Sequence, residues 1–250
     1  YDRILIATGA RAFAPPVKGL EPEDAFLMRT VEDALRFKDR LKKNDIKHAV
    51  VIGASMAGIK VVEVLHKYGI ETWLLDLASY IFPLAAYKEV AKEIEKRVEA
   101  QGVHLMFGVT IDHMEQENGE KTAVLTDGSR IPADIVGLCI GTRAITETVQ
   151  GEVEIGRGIV VDDHMRTSVP GIYAAGDCCE GNNLESGQNQ IIGLWANANH
   201  QGETAGINMA GGDMAYKGNI LHNITHFMNM DFIGFGDNRM QGEVLEYGSL

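Results

Sequence analysis

The chain alternates between short apolar blocks that run into glycine-containing turns and longer stretches with apolar residues at helical spacing. The sharpest block is Ala49-Val50-Val51-Ile52-Gly53-Ala54-Ser55-Met56-Ala57-Gly58, an apolar run emptying into a turn of small residues. Apolar positions at helical spacing follow at Ala57, Val61, Leu65 and Tyr68, and Gly69 ends that helix. Ile70 to Leu75 reads as a second strand, closed by Asp76. The pattern predicts strand, tight turn, helix and strand in direct succession, a βαβ unit.

The flanking segments add elements of the same kind. Arg3-Ile4-Leu5-Ile6-Ala7-Thr8-Gly9-Ala10 reads as a buried strand ending in a small-residue turn, and Arg11 to Glu23, with three prolines, as an irregular connection. Thr30 is placed to cap a helix running to about Lys42, with Val31, Ala34, Leu35 and Leu41 on its apolar side. Tyr87 to Gln101 predicts an amphipathic helix with Val90, Ile94 and Val98 inward and Glu93 paired with Arg97 on the wet side. Val103 to Phe107 is a third strand. Val109–Glu115, Thr122–Thr126 and Ser129–Ile131 predict an antiparallel meander turned at Asn118-Gly119 and Asp127-Gly128. Ile135 to Ile140 is a buried strand ending at Gly141-Thr142-Arg143. Gly158 to Val161 and Ile172 to Ala175 read as further strands, the second running into Gly176-Asp177, and Gln190 to Met209 reads as a long helix.

The Gly53 turn carries candidate chemistry. Gly53 lets the chain leave the strand sharply, and Gly58 lets the helix approach the sheet. The helix N-terminus, formed by Ala54, Ser55, Met56 and Ala57, presents backbone N–H groups to an anion such as a pyrophosphate. Asp76 stands where a carboxylate accepts hydrogen bonds from ribose hydroxyls. Ser55 occupies the middle position of the glycine fingerprint, where its hydroxyl can itself meet a phosphate. Asp76 repels a 2′-phosphate, and Leu77 to Tyr87 contains no Arg or Lys to hold one, so NADH is favoured over NADPH.

Composition narrows the setting. With 250 residues, 45% hydrophobic and 23% charged, the chain has the make-up of a soluble globular protein. A net charge of -12 argues against nucleic acid and anionic membranes as partners, and no stretch is apolar enough to span a bilayer. An anionic cofactor must therefore be held by local backbone dipoles. The three cysteines, Cys139, Cys178 and Cys179, form no Cys-x-x-Cys pair, which fits a reducing cytoplasm. His222 and His226 would share a face if helical, but lack the His-Glu-x-x-His pattern, and no metal site is assigned. No side chain stands out as a catalytic acid or base, so the catalytic residues are unassigned.

Four motifs in one order complete the reading: Ile6-Ala7-Thr8-Gly9, the Gly53–Gly58 turn with Asp76, Cys139-Ile140-Gly141-Thr142-Arg143, and Tyr173-Ala174-Ala175-Gly176-Asp177. The ordered set resembles the FAD- and NAD(P)-dependent pyridine nucleotide-disulfide oxidoreductases, in their rubredoxin reductase, nitrite reductase and NADH oxidase branch. The resemblance implies an α/β fold: a Rossmann-like NAD(P)-binding domain, with a parallel sheet and an antiparallel meander, inserted in a partial FAD-binding domain. Residues 44–146 would be the inserted domain, 1–43 and 147–215 the two FAD-domain pieces, and 216–250 the start of a truncated C-terminal interface domain. The chain then reads as a fragment lacking the N-terminal FAD-binding segment. The resemblance also implies that Thr8 and Gly9 lie near the FAD, that Asp177 bonds its ribityl chain with Gly176 permitting close approach, and that Gly141 lies beside the nicotinamide nucleotide. In the intact protein, expected as a homodimer, NADH would pass hydride to FAD and electrons would go on to an acceptor, a small molecule or small redox protein. The family often has glutamate two residues after the third motif glycine, where this chain has Lys60. Lys60 also favours an alternative, a non-catalytic nucleotide-binding or redox-sensing module.

Overall fold

The structure is a computed structural model that describes residues 1–238, 245, 247 and 248. In chain order its main elements are β1 (Ile4–Ile6), α1 (Val31–Leu41), β2 (His48–Ile52), α2 (Met56–Lys67), β3 (Glu71–Asp76), α3 (Lys88–Glu99) and β4 (His104–Phe107). There follow β5 (Ile111–Glu117), β6 (Glu120–Leu125), β7 (Arg130–Pro132), β8 (Ile135–Leu138), β9 (Ile172–Ala174), α4 (Trp195–Met209), β10 (His222–Phe227) and β11 (Met230–Phe235). The chain divides into two compact units: Tyr1–Arg11 with Thr142–Leu221, and Ala12–Gly141 with His222–Leu250.

The second unit is built on a five-stranded parallel sheet in the order Ala25–Phe26, β8, β2, β3, β4. Strands buried on both faces need continuous apolar sequence, and Ala49, Val50 and Val51 are fully buried. Thr30 caps α1 with a reciprocal pair of bonds: its hydroxyl accepts from Asp33 N at 3.1 Å, and the Asp33 carboxylate accepts from Thr30 N at 2.9 Å. The inward face of α1 differs from the expected one. Phe37 and Leu41 are buried, whereas Val31 and Leu35 are exposed. Two apolar stripes compete on this helix, and the one carrying the larger ring wins by packing at a tilt against Phe26, with centroids 5.4 Å apart. On α2, Gly58, Ile59, Val61, Val62 and Leu65 face inward, while Ala57 and Tyr68 are exposed. On α3, Ile94 and Val98 are buried as expected, but Glu93 pairs with Lys96 rather than Arg97. The meander β5–β6–β7 is antiparallel, with Asn118 and Gly119 both at positive φ in the first turn.

The antiparallel hairpin β10–β11 belongs to this same unit. It packs Phe227 and Phe232 against Phe82, at centroid distances of 5.4 and 5.1 Å. Of the expected interface-domain segment 216–250, residues 239–244, 246, 249 and 250 lie outside the described residues.

In the first unit, β1 and β9 pair in parallel, Ile6 opposite Ala174. Among the described residues β1 has this one partner strand, so Ile6 is buried while Ile4 and Leu5 are exposed, contrary to a fully buried strand. Gly158 to Val161 forms isolated bridges at Ile159 rather than a strand. The final helix starts at Trp195, not Gln190, because Asn189–Gln190 pairs with Gly181–Asn182. Its buried face is polar: Asn197, Gln201, Thr204 and Asn208. These groups find partners in the loops beneath. Asn208 Nδ2 donates to the carbonyls of His164 and Met214 at 3.0 and 2.7 Å, and Asn197 Nδ2 to that of Ile192 at 2.9 Å. Among the described residues no helix is long and apolar enough to cross a membrane.

Candidate functional site

In an open parallel sheet, ligands bind beyond the carboxyl ends of the strands where strand order reverses. In the second unit that point lies between β2 and β8, because the chain runs outward from β2 through β3 to β4 and returns to β8 on the other side. Gly53 follows β2, and Cys139 to Gly141 follow β8, so the two turns stand side by side. Gly53 has φ +105°, and a Cβ there would collide with the Cys139 carbonyl oxygen. A Cβ on Gly58 would collide with the Gly53 carbonyl oxygen, so both glycines are required by close approach. Ser55 is the N-cap of α2: its Oγ accepts from Gly58 N at 3.3 Å and donates to the Cys139 carbonyl at 3.1 Å. The hydroxyl expected to meet a phosphate is thus engaged with backbone. Met56 and Ala57 open the helix, so the N–H groups of its first turn point out of the crevice mouth.

Asp76 ends β3, next to this turn. Its carboxylate accepts from Ala54 N at 2.7 Å and from Ala78 N at 2.8 Å. Each oxygen keeps a further lone pair for a hydroxyl. Gly141 lies at φ +98°, with open space where a Cβ would project. Cys139 is buried, and burial pushes its thiol up to about 12. Such a thiol is a packing group rather than a nucleophile. Lys60 Nζ is bound to Glu63 and, at 2.7 Å, to the His226 carbonyl. It is therefore tied into the seam between α2 and the hairpin.

In the first unit, the carboxyl ends of β1 and β9 are adjacent. Thr8 Oγ1 donates to the Ile145 carbonyl at 2.6 Å, and the Gly9 carbonyl accepts from Ile145 N at 2.9 Å. Gly9 has φ +68° and no atom within 4 Å of a would-be Cβ; Gly176 has φ +85°. Two left-handed glycines thus stand at the adjacent strand ends, with open space beside Gly9 and Asp177 next in sequence to Gly176, a fit for the close approach of a hydroxylated cofactor chain such as that of FAD. Cys178 and Cys179 are buried immediately beyond. Hydrogen bonding to Cys179 lowers the Cys178 thiol against the effect of burial, helped by Gly9 and Thr8, and raises that of Cys179.

Sequence reasoning missed Gln201, whose Oε1 accepts from Gly176 N at 2.8 Å. No periodicity signals it, because the buried face of α4 is polar. The His222/His226 pair lies on a strand rather than a helix. At 3.3 Å per residue these two are about 13 Å apart and cannot share an ion. His222 stacks on Phe235 and His226 bonds Asp231.

Residues 1–202 match the pyridine nucleotide-disulphide oxidoreductase family. The chain belongs to this family. It is 30% identical over 213 residues to an NADH oxidase of Methanocaldococcus jannaschii, covering 84% of this chain and 47% of that protein. Among solved structures, a NAD-dependent persulfide reductase from A. fulgidus superposes with a TM-score of 0.88 at 30% identity, covering 96% of this chain and 44% of the other. The water-forming NADH oxidase from Lactobacillus brevis, bound to NADH, gives a TM-score of 0.89 at 26% identity over 95% of this chain and 52% of that one. The chain spans about half or less of the length of the curated relatives it matches. The α/β architecture, a parallel Rossmann-like sheet with an antiparallel meander, is that of the family.

Proposed function

We propose that this chain is the NADH-binding part of a flavoprotein oxidoreductase. The observation that carries the reading is the crevice between β2 and β8, where the Gly53–Gly58 turn, Asp76 and Gly141 converge on one mouth. In this reading the N–H groups of Ser55, Met56 and Ala57 bind the NADH pyrophosphate, while that of Ala54, expected to join them, is taken by Asp76. Asp76, held by Ala54 N and Ala78 N, accepts the adenosine ribose hydroxyls. Gly141 leaves room for the nicotinamide half. Thr8, Gly9, Gly176 and Asp177 hold FAD, with Asp177 on the ribityl hydroxyls. When bound, FAD supplies the two-electron acceptor for hydride from NADH and passes electrons on to a further acceptor. The protein's own part is to position, to exclude water and to complement charge.

NADH is preferred over NADPH because Asp76 is a fixed carboxylate where a 2′-phosphate would sit, and no cation follows it through Tyr87. In a cytoplasmic protein, residues 12–141 would be the nucleotide domain, wider than the expected 44–146, and 1–11 with 142–221 the pieces of the flavin domain; the hairpin expected to open an interface domain belongs to the nucleotide unit. The relatives' names include a water-forming NADH oxidase, a persulfide reductase and a rubredoxin-NAD(+) reductase. The acceptor class is accordingly a small molecule or a small redox protein. Anaerobic addition of NADH to the FAD-loaded protein tests the proposal. Bleaching of the flavin band near 450 nm by NADH, and far more slowly by NADPH, supports it. Binding of NADH without bleaching favours the redox-sensing alternative, and no binding of NADH refutes both.

A further inference from the structure

We infer that Gln201 is a positioning residue for Asp177, acting through the turn that presents it. This rests on the reading of Asp177 as a cofactor ligand and deepens it. Residues 176–179 form a tight turn closed by Cys179 N donating to the Gly176 carbonyl at 3.1 Å, with Asp177 and Cys178 at its centre. Gln201 holds the start of that turn: its Oε1 accepts from Gly176 N at 2.8 Å. The same oxygen lies 3.5 Å from Cys179 Sγ, whose one proton is shared with the Gly176 carbonyl at 3.4 Å. Gly176 is left-handed, so its peptide orientation fixes the direction in which Asp177 leaves the strand. The geometry makes Gln201 the strut beneath Asp177.

Gln201 is fully buried, and its amide also hydrogen-bonds the Tyr216 phenol, lowering it against the larger effect of burial. The group is wedged there, since a Cβ on Gly181 would collide with Nε2. Methionine, an apolar side chain of about the same length, would fill this space without accepting from Gly176 N. What the amide oxygen holds is the backbone immediately before Asp177.

The test uses the protein as its gene encodes it, freed of flavin, and measures two quantities for each variant: the FAD dissociation constant and the melting temperature without FAD. Thr204→Val, one turn further along the same buried face, is the packing control, expected to lower the melting temperature while leaving FAD affinity within about twofold. Asp177→Ala tests the underlying reading and is expected to weaken FAD binding by tenfold or more. Gln201→Met is expected to weaken it by about tenfold, the factor that 1.4 kcal/mol represents, with a flavin-free melting temperature no lower than that of Thr204→Val. Gln201→Asn keeps an amide but withdraws it by one methylene; it is expected to show the same loss and serves if the methionine variant does not fold. FAD binding within twofold of the parent in a folded Gln201 variant overturns the inference, while that of Asp177 stands. Unchanged binding in Asp177→Ala overturns the reading of Asp177 and the inference with it.

Discussion

Glu63→Gln isolates the interaction that fastens the β10–β11 hairpin to α2. Glu63 is buried, 6% exposed, on the inner side of α2. Its carboxylate accepts from Lys60 Nζ, from Lys67 Nζ at 3.1 Å and from Met228 N at 3.3 Å. Burial pushes this group up, but the hydrogen bonds from Lys60, Lys67 and Met228 outweigh it and hold the group at about 2, against an ordinary 4.5. At 1.36 kcal/mol per factor of ten, the gap corresponds to roughly 3 kcal/mol of stability at neutral pH. The folded-state value is the depressed one, so the contribution is complete above pH 4.5 and is lost as pH falls toward 2. Urea denaturation of this unit can be followed by Trp73 on β3 in a Trp195→Phe background. At pH 7 the glutamine variant should lose roughly 2–3 kcal/mol, and the difference from the parent should close between pH 4.5 and 2. A loss below about 0.5 kcal/mol at pH 7, the ordinary range of a surface substitution, would refute the reasoning. So would a difference that does not change with pH.

Gly53→Ala forces a side chain into a left-handed position and against the Cys139 carbonyl, so NADH affinity by calorimetry should fall tenfold or more and the unit should lose roughly 2–4 kcal/mol. Asp76→Ala removes both the ribose acceptor and the charge that excludes a 2′-phosphate; competition binding should show the NADH-to-NADPH preference shrinking by about tenfold or more. His164 is raised above its usual value by its hydrogen bond to Asp163, against desolvation, and by Asp213. Its contribution is complete below the ordinary histidine value and is lost as pH rises through the folded one, so the melting-temperature penalty of His164→Ala should shrink between pH 6 and 9. Cys139, pushed up to about 12 by burial, should resist alkylation by iodoacetamide at pH 8 in the folded protein and react on unfolding.

The β2–α2–β3 unit was legible because several independent constraints coincide there. An apolar run, two glycines required by close contact and a strand-end carboxylate each have one structural use at that spacing, whereas the capping role of Ser55 is seen only in the fold. The meander was legible for a similar reason, since Asn118-Gly119 demands positive φ at both positions. The face of α1 was not, because Val31/Leu35 and Phe37/Leu41 offer two stripes at helical spacing. The strand Ala25–Phe26, supplying Phe26, decides between them. Nor was the role of α4: hydrophobic periodicity is blind to a helix that buries Asn197, Gln201, Thr204 and Asn208 through hydrogen bonds to distant loops. Of the candidate site, the backbone turns could be read from the chain. The tethering of Asp76 to Ala54 N, and of Lys60 to Glu63 and the hairpin, depends on segments brought together only by the fold.

The most direct test of the account is an NADH titration of this chain by calorimetry, with NADPH and the Asp76→Ala variant alongside. NADH should bind with one site per chain, NADPH at least tenfold more weakly, and the variant should lose most of this difference. Equal affinity for the two nucleotides in the parent chain, or NADH binding that the Gly53→Ala substitution leaves untouched, would contradict the placement of the nucleotide in the crevice between β2 and β8.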